Sequence, residues 1–280
     1  MPGIRVNASF KSVSMILVLI LTITLLISKN SQAVMRFMVG QEINLTTTAF
    51  YEIRTDHYNI KYTDIDVDWV PMVALAAEEA YGSVSQVFGE EPSKRTTIVI
   101  YPDSSSLARS FGWDRDEKAM GVYWAGSIRV LSPREWMTPQ DSTDRFVQEG
   151  PMAHEFIHLM VDELTRGNYN RWWTEGVAQY VEKRTTGFEF ASPFTGGEET
   201  SYYHLASLDR NFDKLDQSIA YWESLQVIEY IAQTSGEESL FQIMAQLGDG
   251  KSLSTAIEKT QGVSYRTWEQ EFYRYLENNY

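Results

Sequence analysis

Five residues, His154-Glu155-Phe156-Ile157-His158, constrain this chain more than any other stretch. Residues four apart lie on one face of an α-helix, so on a helix the two imidazoles aim at one point. Each residue turns the helix by about 100°. Glu155 therefore sits a little over a quarter-turn away, able to reach a ligand of an ion without being a ligand itself. Two nitrogens that hold a metal beside a carboxylate that takes a proton from water are the parts of H-E-x-x-H chemistry, and the ion they suit is zinc. The alternative is a surface helix that carries this spacing by chance. The chain has only 4 histidines in 280 residues, and two of them fall in this pentapeptide.

After a short loop, residues 166–170, comes Trp172-Trp173-Thr174-Glu175-Gly176-Val177-Ala178-Gln179-Tyr180. Glu175 follows the second histidine by 17 residues, enough chain to finish one helix, turn and enter an antiparallel second one. Zinc sites of the His₂Glu type use three protein ligands and leave a fourth position for water. One Zn²⁺ on His154, His158 and Glu175, with Glu155 as general base, is the expectation. The competing reading of Glu175 is a carboxylate favoured by the positive end of its helix.

H-E-F-I-H followed by W-W-T-E-G-V-A-Q-Y-V-E resembles the gluzincin metallopeptidases, and more narrowly their peptidase MA-like group. The resemblance runs from about Thr48 to the C-terminus, with its specific motifs confined to His154–Glu182. It implies an α+β, zincin-like (thermolysin-type) fold with a small N-terminal mixed sheet, an active-site helix and a helical C-terminal part. It implies the same ligands, His154, His158 and Glu175, with Glu155 as base, and zinc-dependent hydrolysis of a peptide or protein substrate. The related pattern A-Y-x-x-S stands here as Ala220-Tyr221-Trp222-Glu223-Ser224. By resemblance Tyr221 donates its hydroxyl to the developing oxyanion; the alternative is a packed aromatic at a helix start. Thermolysin-like members carry an Asp four residues after the ligand Glu, where this chain has Gln179. Either the Gln179 amide oxygen or Asp162, one turn past His158, is expected to orient a ligand histidine. In gluzincins a sheet edge holds the substrate backbone. By resemblance the hairpin Met120–Trp124 and Ser127–Leu131 around Ala125-Gly126 takes that part, with an interior hairpin as the alternative. Two other functions fit the same residues: a zinc amidase acting on a cell-wall or other non-protein amide, and a non-catalytic cell-surface binding module.

A net charge of −14 argues against a nucleic-acid partner, which needs a positive surface. With no cysteine there is no disulfide framework, no thiol nucleophile and no thiolate ligand. Arg5 and Lys11 precede an uncharged run, Ser12–Ser28, and Ser31-Gln32-Ala33 follows as a small-x-small site. Two readings stand for residues 1–33: a cleaved signal peptide, or a membrane anchor at the lower length limit for a span. Both put the rest outside the cytoplasm, secreted or anchored, with any membrane contact made through this segment.

Residues 34–280 are expected to be the catalytic domain, sheet-containing to about 165 and helical from about 166. Val34–Leu45 reads as a linker or first strand. Tyr58–Tyr62 and Thr96–Tyr101 read as strands, Val70–Phe88 as a helix, and Ser104–Phe111 as a short one. Pro151 restarts the histidine helix, which runs to about Leu164. Thr185–Ser201 reads as a loop over or beside the cleft. The last third reads as helices from Ser218, Glu237, Leu253 and Tyr265. His57 and His204 are expected to be ordinary histidines.

Overall fold

The computed structural model describes residues 31–114, 119–138, 140–194 and 202–280. The chain is α+β, built on one five-stranded mixed sheet ordered β1-β2-β3-β5-β4. The strands are β1 (Tyr51–Arg54), β2 (Tyr58–Tyr62), β3 (Thr96–Tyr101), β4 (Gly121–Trp124) and β5 (Ser127–Leu131). β2, β3 and β5 run parallel, while β1 and β4 pair antiparallel at the two edges.

β3 is apolar without alternation because both of its faces are covered. Ile98 and Ile100 join the main core, while Val99 and Tyr101 join a second cluster on the opposite face. The main-core face is covered by α2 (Val70–Phe88) and α5 (Met152–Thr165). On the other face lie α1 (Ser31–Thr46) and α3 (Ser104–Ser110), through Val39, Ile43 and Leu107.

α1 replaces the linker or strand expected at Val34–Leu45. Its polar anchors are long-range. Arg36 pairs with Asp162 at 2.6 Å and with Glu163, and Glu42 pairs with Arg129, a fully buried arginine of β5. Among the described residues no helix is long and apolar enough to cross a membrane. The apolar run Ser12–Ser28, and with it the signal-peptide or anchor reading, lies outside the described residues.

α4 (Thr143–Glu149) precedes α5 and is capped by Ser142, whose side chain accepts from the Arg145 N–H. Beyond α5 come α6 (Arg171–Thr186), α7 (Leu205–Asn211), α8 (Gln217–Ser235), α9 (Glu238–Gly248), α10 (Leu253–Gln261) and α11 (Tyr265–Asn279). Two glycines set how closely these helices pack. A Cβ on Gly176 would stand 2.3 Å from the Ser224 carbonyl oxygen, and one on Gly248 would stand 2.3 Å from that of Leu164. Gly176 thus lets α6 lie directly on α8, and Gly248 seats α9 on the end of α5.

Candidate metal centre

Pro151, the residue just before α5, needs no N–H at a helix start. His154 and His158 follow one turn apart, their rings 4.8 Å between centroids and nearly perpendicular at 82°. The chain leaves α5 through Arg166 and Gly167, both left-handed at φ 55° and 77°, and turns back into α6. That reversal brings Glu175 against the histidines. One carboxylate oxygen, Glu175 Oε2, lies 3.4 Å from His154 Nε2 and 3.4 Å from His158 Nε2.

These three side chains form the one group among the described residues that could hold a metal ion, with ligand atoms all within 4.8 Å of one another. For zinc bonds of about 2.0–2.1 Å, a tetrahedron puts neighbouring ligand atoms roughly 3.3–3.4 Å apart, so both Glu175–histidine distances suit that ion. The donor set fits too. Glu155, Glu175 and Glu182 are all buried around the two imidazoles, an excess of negative charge that a divalent cation would offset.

The outer nitrogens are held by residues the sequence reading did not single out. His154 Nδ1 lies 2.8 Å from Glu182 Oε2, and His158 Nδ1 lies 2.7 Å from Thr174 Oγ1. With both Nδ1 atoms so engaged, both Nε2 atoms face Glu175. The expected partners, Gln179 and Asp162, lie elsewhere. Gln179 donates to the Tyr221 carbonyl at 2.9 Å, and Asp162 binds Arg36 and the Tyr123 hydroxyl. The missed signal was periodicity: Glu182 is two turns past Glu175 and shares its face, whereas Thr174 had no comparable mark.

Electrostatics follow from burial and crowding. Burial would raise the Glu175 pKa, but the two histidines together hold it far below the ordinary carboxylate range. Burial would lower that of His154, yet its hydrogen bonds to Glu175 and Glu182 carry it well above the usual imidazole value. Glu155 is raised, chiefly by burial, with the histidines pulling the other way. Its Oε2 accepts the Tyr123 main-chain N–H at 2.5 Å. A buried carboxylate pushed up in pKa is suited to accept and return a proton.

Tyr221, at the start of α8, does reach the site. Burial raises the pKa of its hydroxyl, with the nearby Glu175 charge adding to the shift and Arg171 opposing it. Arg171 was also missed. It stands one turn before Glu175 and faces the second carboxylate oxygen, Oε1, at 3.6 Å. The other two histidines stay out. His57 stacks on Tyr81 at 3.6 Å and pairs with Glu78, and His204 lies edge-on to Tyr273.

β4 is an edge strand of the sheet, so it is not interior. In its antiparallel ladder with β5, Met120, Val122 and Trp124 occupy the bonded positions, so the main-chain groups of Gly121 and Tyr123 point outward toward α5. The loop after α6 brings Phe190, about half exposed, to 6.3 Å from the His154 ring. No protein-family model matches the chain, and no curated protein matches it.

Proposed function

We propose that this protein is a zinc-dependent peptidase of the zincin-like, thermolysin-type fold. The observation that carries the reading is the position of Glu175 Oε2, 3.4 Å from each of the two paired Nε2 atoms, with Glu155 next along the same helix. His154, His158 and Glu175 would hold one zinc ion. When bound, the ion supplies Lewis acidity that polarises a carbonyl and brings the pKa of water down to about 7.

The chain's own residues do the rest. Glu155 takes a proton from the attacking water and returns it to the leaving amine. Glu182 and Thr174 fix the ring orientations of His154 and His158. Tyr221 directs its hydroxyl to the oxygen on which negative charge develops. With the Tyr123 N–H held by Glu155, the outward main-chain groups of Gly121 and the Tyr123 carbonyl offer pairing positions to an extended peptide, which gains main-chain hydrogen bonds with few side-chain demands. That free edge beside the base favours a peptide over a compact amide substrate.

The test is metal analysis of the purified full chain, with cleavage of a diverse peptide library assayed with and without chelator and alongside Glu155→Ala. The expected result is one zinc per chain, and cleavage that is lost on chelation, restored by zinc and absent in the variant. Zinc with no peptide cleavage would turn the reading to an amidase. A chain that binds no stoichiometric metal would turn it to a binding module.

A further inference from the structure

A groove of about 270 Å³ lies beyond the end of β4, between the hairpin tip, the last turn of α5 and the first turn of α1. Its walls include Trp124 and Tyr169, with Met35 from α1. Trp124 is 48% exposed and Met35 42%, so two large apolar side chains face solvent in a chain of net charge −14. The charges around the groove do not select an acidic or a basic occupant. Asp162 is bound by Arg36 and by the Tyr123 hydroxyl, and Glu163 is bound by Arg36. Arg166, on the groove wall, forms no ion pair among the described residues, but it stands at the end of α5, where a cation suits the helix dipole.

The groove is continuous with the edge that would hold a peptide. Tyr123, whose N–H meets Glu155, also lines the groove. Asp162 and Arg166 on its wall are four and eight residues past His158, so the groove spans about 6–12 Å along α5 from that histidine at about 1.5 Å per residue. An extended peptide rises about 3.3 Å per residue and covers that distance in roughly two to four residues. On the peptidase reading above, we propose that this groove is a specificity subsite that takes a large apolar side chain two to four residues from the scissile bond. Met35 makes α1 part of substrate recognition as well as of the sheet's cover.

The test is a mass-spectrometric profile of cleavage in a synthetic decapeptide library by the zinc-loaded full chain, with Trp124→Ala and Met35→Ser beside it. A large apolar residue is worth about ten- to a few hundred-fold in discrimination in such a pocket. The expected result is at least tenfold enrichment of Phe, Tyr, Trp, Leu or Met at that distance on one flank of the cut. In Trp124→Ala it should fall several-fold, and in Met35→Ser less. Thermal melting of both variants reports folding. Cleavage with no preference there, a preference for charged residues, or enrichment that survives both substitutions would overturn the subsite alone. A library left uncut by a zinc-loaded chain would overturn the peptidase reading, and the subsite with it.

Discussion

The Tyr123 main-chain N–H donates to Glu155 at 2.5 Å, so edge strand and helix meet at the proposed general base. The same tyrosine donates its hydroxyl to Asp162 at 2.6 Å, two turns further along α5, and accepts the Gly126 N–H at 2.9 Å. Arg36 closes the arrangement from α1. One residue thus fixes how β4 lies along α5. The strand can come so near because residue 121 has no side chain: a Cβ there would stand 2.6 Å from Pro151 Cβ and 2.9 Å from Glu155 Cγ.

Gly121→Ala should therefore injure both fold and activity. Overpacking of this kind costs about 1–3 kcal/mol, read as a lower urea midpoint at unchanged slope. Displacing the strand also moves Glu155, and a shift of about 1 Å in such a group can cost on the order of 100-fold in turnover. A variant with the parent's midpoint and kcat would mean that β4 does not rest on α5 at this point.

Base and ligand-orienting residue should separate cleanly. Glu155→Gln keeps all three metal-binding side chains and removes the proton acceptor, so zinc stoichiometry should hold while kcat falls by about 10²–10⁴. Glu182→Ala leaves Glu155 in place and frees His154 Nδ1, so zinc affinity should fall by about 10–100-fold. Competition with a chromophoric chelator reads the second effect. Equal zinc affinity in Glu182→Ala and parent would remove Glu182 from any part in holding the ion.

What was readable beforehand divides along physical lines. Val70–Phe88 and Thr96–Tyr101 were expected with the bounds they have, because the first carries a helical stripe, the second is a continuous β-branched run, and both are bounded by turn residues. The histidine helix and its return to Glu175 were readable because H-E-x-x-H fixes a helical face and a 17-residue gap leaves one compact way back. α1 was not readable. It has no acidic first turn and no basic last turn, and its apolar residues lie on exposed as well as buried faces, so no single stripe emerges. What seats it are Arg36 and Glu42, bonded to residues more than 80 positions away. Arg171 was hidden for a similar reason. Being exposed at the start of a helix is unremarkable until Tyr221, on another helix, is seen beside it.

Tyr221→Phe isolates one hydroxyl. Its ring packs on Phe212 at 5.3 Å between centroids, and its main-chain carbonyl accepts from Gln179, so the helix start should stay seated without the oxygen. Loss of a donor to developing negative charge costs up to 10²–10³ in kcat, and here a fall of about tenfold or more is expected with KM little changed. Zinc content should be that of the parent. Unchanged turnover would leave Tyr221 a packing residue.

Glu223 gives the fold a pH dependence of its own. It is fully buried on α8, and one oxygen accepts the Tyr203 N–H at 2.6 Å while the other has no partner among the described residues. Burial raises its pKa from the ordinary 4.5 to about 8, with the Tyr203 bond opposing the shift. The folded state then holds this proton more tightly than the unfolded chain. Its contribution is complete below the unfolded value and is lost as pH rises through about 8. A shift of that size sets a ceiling on the order of 5 kcal/mol. Glu223→Gln keeps an oxygen for Tyr203 and cannot ionise. Its melting temperature should be flatter than the parent's between about pH 5 and 9, and higher than the parent's at the alkaline end. Parallel melting curves for the two proteins across that range would mean that the carboxyl ionises without cost to the fold.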